Sequence, residues 1–460
     1  MDLPALHPAL APLTGPDRAD AYMEWLHAAC TPFHAVAASV AALEAAGFVP
    51  WQLAERWTVV PGDRRYIVHP DGKSLIALVM GERSPCDTGY ALVGAHTDSP
   101  DLRLRLHPVS QGAGTVQLTT QFHGGLIRRS WLDRPLALAG ALYQAVRDVH
   151  GKPVFHPLTG QPVVTRRLVH VDEPLAVIPD LAIHLDREKN DKGGLNPQTQ
   201  LNAVLASGES LDHALPLLAD RLQVDLDALD GFDLHLVPWH KPQRTGLDGS
   251  LVTGPRHDDL AMVWSGLTAL LESVQTAPEL PRTRVAAFFD AEETGSMTSS
   301  GAASSFLRDV LVRVARHHPL TDLRDDPEQA LGQSVVVSAD MAHAHHPNWQ
   351  DLHDKQHAPR INQGVVVKAN ASDRYATTGE TTAMWHAICD AADAPVQAYV
   401  VRQDLACGTT IGPITAASLG ARVVDVGCPM WAMHSSAETL GVQDLDAMVR
   451  SMRVFLTGRS

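Results

Sequence analysis

Apolar residues recur along this chain in two textures. From Asp17 to Gly47, Ala, Leu and Met are spaced for one face of a helix. Thr31-Pro32 divides that stretch into two helices, because proline disfavours helix before and within itself, and Gly47 closes the second. Tyr66 to His69, Leu75 to Met80 and Ala91 to Gly94 follow as short strands. Between about residues 100 and 250, segments such as LRLRLHP and GTVQLTTQFHG alternate or carry β-branched residues between Gly and Pro breaks. They predict a separate β-rich unit. Within it Gly193 to Gly208 reads as a polar loop, Leu211 to Leu222 as a helix and Asp233 to Val237 as a strand. The first texture resumes at Pro255, with helices expected at Asp259–Thr276 and Ser300–Arg316, each followed by an apolar strand.

The pattern predicts an α/β protein. An αβα domain with a mixed, mostly parallel sheet takes residues 1–98 and 252–460, and a β-rich insert takes 99–251. Its apolar runs are rich in Val and Ala, as suits strands buried on both faces. Four of them end in residue types that can bind metals: YALVGAHTD (Tyr90–Asp98), RVAAFFDAEE (Arg284–Glu293), SVVVSAD (Ser334–Asp340) and RVVDVGCPMWAMH (Arg422–His434). PRHDDL (Pro255–Leu260) adds two adjacent carboxylates. Open α/β sheets bind ligands at the carboxyl ends of their strands, so these side chains converge on one cleft if the strands are parallel neighbours.

Each element has a plainer reading. His96 can ligate zinc with Asp98 orienting its ring, or it can simply bond backbone at a strand end. Asp258 can bridge two cations, or Asp258-Asp259 can cap a helix. In Glu292-Glu293 one carboxylate can ligate while the other moves a proton, or the pair can be a solvated turn. Asp340 and His434 repeat the strand-end logic, whereas His343, His345 and His346 read as polar surface more readily than as a cluster. Taken together, Asp258, Glu293, Asp340, His96 and His434 offer only oxygen and nitrogen donors. They suit two divalent cations, with zinc the default and manganese or cobalt alternatives.

Composition narrows the classes. A formal charge of −15 over 460 residues argues against a general nucleic-acid binder. No apolar stretch reaches the roughly 18 residues that span a bilayer. MDLPALHPALAPL has no basic region followed by a long apolar core, so no secretory signal is expected. The five cysteines are scattered without a C-x-x-C pair, which suits a reducing cytoplasm.

The segments GAHTDSPDLRLR, LVHVDEPLAVIPDLAIHLDREKN, PRHDDL, DAEETGS, SADMAHAHHPN, KANASDRYAT, CGTTIGPI and AMHSSAE together resemble the aspartyl aminopeptidase (M18) family of metallopeptidases. The resemblance implies that His96 and Asp340 hold one metal, Glu293 and His434 the other, and Asp258 bridges them. Glu292 is then the general acid/base and Asp98 supports His96. It also implies that His170 reaches a neighbouring subunit's active site, and that the insert forms dimers that build dodecamers. Lys368 stands where the family's receptor for an acidic side chain lies, near Tyr375; Gly408 and Thr409, in CGTTIGPI, are expected to line the peptide. The substrates implied are peptides with a free N-terminus led by Asp or Glu. The family's bridging segment usually reads Asp-Asn, often with a cis peptide, where this chain has Asp258-Asp259. The alternatives are a related carboxypeptidase or N-acyl-amino-acid deacylase, and a non-catalytic scaffold, which would be expected to have lost Glu292 or a ligand.

Overall fold

Strand Thr283–Phe289 shows why the central sheet is buried on both sides. Ala286 and Phe288 enter one apolar cluster, while Val285, Ala287 and Phe289 enter another. Strands Tyr90–His96 and Val335–Ala339 divide in the same way, with Val93 and Val337 on the first side and Leu92 and Val336 on the second. A period of two with both faces apolar is what helices packed on each side of a sheet require.

The computed structural model describes residues 16–190, 194–208 and 210–459. The N-terminal stretch read for a signal, and Gly193 at the head of the polar segment, lie outside these. The chain forms two compact units. One takes in the described residues up to Ser99, Lys241–Met433 and those from Ala437 onward; the other is Pro100–His240 with His434–Ser436.

In the first unit a nine-stranded sheet centres on Thr283–Phe289, Tyr90–His96, Val335–Ala339 and Arg422–Gly427, all mutually parallel. Antiparallel pairs lie further out, at Leu75–Val79 and Val365–Lys368, so the sheet is mixed and mostly parallel as expected. The N-terminal helices are Pro16–Ala28 and Pro32–Ala45, divided at Thr31. A smaller sheet of five strands includes Gln243–Thr245 and Leu251–Gly254 paired to Glu438–Gly441. Residues 241–251, read from sequence into the insert, therefore pack with the first unit.

The second unit is a closed barrel of strands Gly231–Pro238, Asp101–Gly112, Thr115–His123, Ala203–Ser207, Val164–Val177 and Pro135–Ala145. Two further sequence expectations fail. The polar segment 193–208 contains the strand Ala203–Ser207, whose short AVLA run pairs with Thr115–Leu118. The helix expected from Ser300 starts at Phe306, because the preceding serines bond locally. Ser304 Oγ donates to Gly301 O at 2.7 Å, which competes with helical hydrogen bonding.

Candidate metal centre

The parallel register carries the ligand-type side chains to one edge. Phe289 pairs with His96 across adjacent strands, and Ser338 pairs with Gly94, so Glu292, His96 and Asp340 follow neighbouring strand ends. Gly427 admits the close passage of the next strand: a Cβ there would collide with the Asp340 carbonyl.

His96 is the hub, 1% exposed. Its Nε2 lies 3.4 Å from Asp258 Oδ1, 4.0 Å from Asp259 Oδ2 and 4.0 Å from Asp340 Oδ1. Its Nδ1 is 3.0 Å from the Asp98 carbonyl and 3.4 Å from Asp98 Oδ1, which aims Nε2 at the carboxylates. Asp98 also accepts from the backbone N–H of Glu292 at 3.0 Å and of Glu293 at 3.3 Å. It thus fixes the imidazole and the acidic turn together. Ala291, at φ 66°, turns the chain into the left-handed region just before that pair. Potential ligand atoms of His96, Glu292 and Glu293 lie within 4.8 Å of one another, as do those of His96, Asp258, Asp259 and Asp340.

Asp258 and Asp259 open the helix His257–Thr276 but have non-helical backbone angles, and their peptide is cis, as the resemblance implied. Asp258 is held from both sides: its N–H donates to Glu438 Oε2 at 3.0 Å, and its carbonyl accepts from Ser99 Oγ at 2.6 Å. Asp259 Oδ2 accepts from the His96 N–H at 3.1 Å, whereas its buried Oδ1 has no hydrogen-bond partner among the described residues.

Burial works to lower the His96 pKa, but the carboxylates of Asp259, Asp258, Asp98 and Glu292 outweigh it and hold it well above the ordinary histidine value. Burial raises Asp340, and the Lys368 ammonium opposes that rise. Burial also pushes the Glu292 carboxyl up to about 8, with His96 pulling it down and Asp340, Glu293 and Asp98 pushing it further. So concentrated a negative field attracts cations. The donors fit a divalent ion as well. With metal–ligand bonds of about 2.1 Å, atoms sharing one cation stand roughly 3–4 Å apart, the range of the His96 separations.

Lys368 is 2% exposed, with Nζ donating to Met341 O at 3.1 Å, 3.4 Å from Asp340 Oδ2 and 5.3 Å from the Tyr375 ring centre. Tyr375 is buried, whereas Gly408 and Thr409 are exposed on the loop before helix Ile411–Leu419, with Thr409 Oγ1 donating to Arg374 O at 3.1 Å. His170, half-buried on strand Val164–Val177, belongs to the barrel unit. So does His434, at φ 68°, whose Nδ1 is 3.0 Å from Gly125 O.

Sequence reading gave no role to Ser99, Glu438 or Asp425. Glu438 stood inside a quoted motif, but nothing local marks it as the acceptor for Asp258. Asp425 sits in an apolar strand, fully buried. Its carboxylate accepts from Ser338 Oγ at 2.7 Å, Thr410 Oγ1 at 2.6 Å and the Ala376 N–H at 2.6 Å. It ties the Tyr375 segment and the Gly408–Thr410 loop to the sheet. Asp425→Ala would orphan the buried hydroxyls of Ser338 and Thr410 at about 1–3 kcal/mol each. The variant is expected to melt several degrees lower in a thermal scan and to bind peptide more weakly.

The family model described as aminopeptidase I zinc metalloprotease (M18) matches residues 25–456. A protein of Pseudomonas entomophila (strain L48) named probable M18 family aminopeptidase 2 is 39% identical over 443 residues, covering 95% of this chain and 97% of its own. Among solved structures, that of the Ape4 and Nbr1 complex superposes with a TM-score of 0.88 at 31% identity, covering 96% of this chain and 86% of that one. The S. cerevesiae mApe1 dodecamer has a TM-score of 0.81 at 23% identity, covering 95% and 96%, and bears on the fold alone.

Proposed function

The chain belongs to the M18 family of metalloaminopeptidases, and on that premise we propose that it removes N-terminal residues, with a preference for Asp and Glu, from peptides that carry a free α-amine. His96 and Asp340 would hold one divalent cation, Glu293 and His434 a second, with Asp258 shared between them. Zinc is the first choice and manganese or cobalt the alternatives. Two such ions supply Lewis acidity that activates water and polarises the scissile carbonyl. The chain's own groups do the rest. Asp98 keeps the His96 ring aimed and the Glu292 turn in place. Glu292 takes a proton from water at its carboxylate and returns it to the leaving amine. The observation that carries the reading is the gathering of His96, Glu292, Glu293 and Asp340 at the carboxyl ends of parallel strands, with Asp258 brought to them at the head of a helix.

The acidic preference rests on Lys368, the buried cation beside Tyr375. The test is a turnover panel of peptides led by Asp, Glu, Leu and Lys, each free and N-acetylated. Free Asp- and Glu-led peptides should be cleaved fastest. Lys368→Met should lower kcat/KM for them by about tenfold or more relative to Leu-led ones, the order expected when a buried charge pair is broken. Cleavage led by Leu or Lys would keep the aminopeptidase and remove Lys368 from its role. Cleavage of blocked peptides alone would favour the deacylase.

Self-association belongs to the same reading. The barrel unit would join two chains, these would build a dodecamer, and His170 would enter the neighbour's site to steady the oxyanion. Donors of that kind are worth about 3–4 kcal/mol. His170→Ala and Glu292→Gln chains, each inactive alone, should recover activity when co-expressed, because a mixed pair restores one complete site. No recovery would remove His170 from that role. None of the cysteines is in a disulfide, and no helix among the described residues is long and apolar enough to cross a membrane. A cytoplasmic location is part of the proposal.

A further inference from the structure

Asp259 offers a carboxyl oxygen that its visible hydrogen bond does not use. Its Oδ2 accepts the His96 N–H at 3.1 Å, a task that a neutral amide oxygen would do equally well. The carboxylate is nevertheless fully buried, and its Oδ1 has no hydrogen-bond partner among the described residues. A buried carboxyl without a donor is costly to ionise unless a cation stands beside it.

The other oxygen of the same carboxyl group faces a place for a cation. Asp259 Oδ2 lies 4.0 Å from His96 Nε2, the same separation as Asp340 Oδ1 and close to the 3.4 Å of Asp258 Oδ1. Ligand-type atoms of all four residues fall within 4.8 Å of one another. By distance alone Asp259 is no less a ligand than the others.

We propose that Asp259 ligates the cation held by His96 and Asp340, giving that position one imidazole and three carboxylates. This rests on the two-cation reading above and adds to it. A donor set with an extra hard oxygen moves away from the nitrogen- and sulfur-rich tetrahedral sites that zinc favours and towards manganese. The chain is thereby set to hold Mn2+ at this position more firmly than it would with an amide at residue 259.

The test compares wild-type protein with Asp259→Asn, which keeps size and the acceptor for the His96 N–H. Metal-free samples of both are titrated with MnCl2 by calorimetry, and bound Mn2+ is followed by electron paramagnetic resonance. The expected result is a loss of Mn2+ affinity at one site on the order of 10–100-fold, the scale seen when a group supporting a metal is removed. A smaller loss is expected for Zn2+. Equal Mn2+ affinity in the two proteins overturns the inference while leaving the two-cation reading intact. Failure of the wild type to bind two ions overturns that reading instead. Should the variant misfold, a crystal structure of Mn2+-loaded wild type decides: an Asp259 oxygen at about 2.0–2.2 Å from the ion supports the assignment, and one beyond bonding distance refutes it.

Discussion

Glu292→Gln is expected to lower kcat by about 10²–10⁴-fold, the usual worth of a positioned acid/base, while metal content and melting temperature stay at wild-type values. The side chains are nearly the same size, and what anchors the turn is backbone: the N–H groups of Glu292 and Glu293 both reach Asp98. The amide cannot take a proton from water, so the change removes one chemical act and little structure. Metal analysis and steady-state kinetics on the same preparation check this. Surviving turnover would remove Glu292 from its role, and lost metal would mean that it ligates.

Metal removal is expected to have the second large effect. Asp258, Asp259 and Asp340 are each less than a tenth exposed and crowd one imidazole. A ligand bound only by the folded state stabilises it by about 4 kcal/mol at a thousand times its dissociation constant. Chelated protein should therefore melt several degrees lower, and restored metal should recover both melting point and turnover. Differential scanning calorimetry with and without chelator measures it. An unchanged melting point would mean that the cluster holds no tightly bound ion.

Much of this site was legible because its residues terminate strands. His96, Glu292, Glu293 and Asp340 each follow an apolar run, and parallel strands bring such ends to one edge as a matter of topology. Asp258 was legible through resemblance, since adjacent aspartates before a helix read equally well as a cap. The supporting groups were hidden for a different reason. Glu438 meets Asp258 across 180 positions of sequence, and Asp425 reaches Thr410 and Ala376 from inside a strand that reads as core. Hydrogen bonds between distant segments leave no local pattern. The strand Ala203–Ser207 was lost because four apolar residues were outweighed by polar neighbours, and its barrel partners lie far away in sequence.

The most direct measurement is turnover of a free Asp-led peptide by metal-depleted protein as Zn2+ or Mn2+ is added back in measured equivalents. The account predicts no activity without metal and full activity as the second ion per chain is bound, with an N-acetylated peptide untouched throughout. Turnover in the fully depleted protein, or its absence at every metal level on every free peptide, would contradict it.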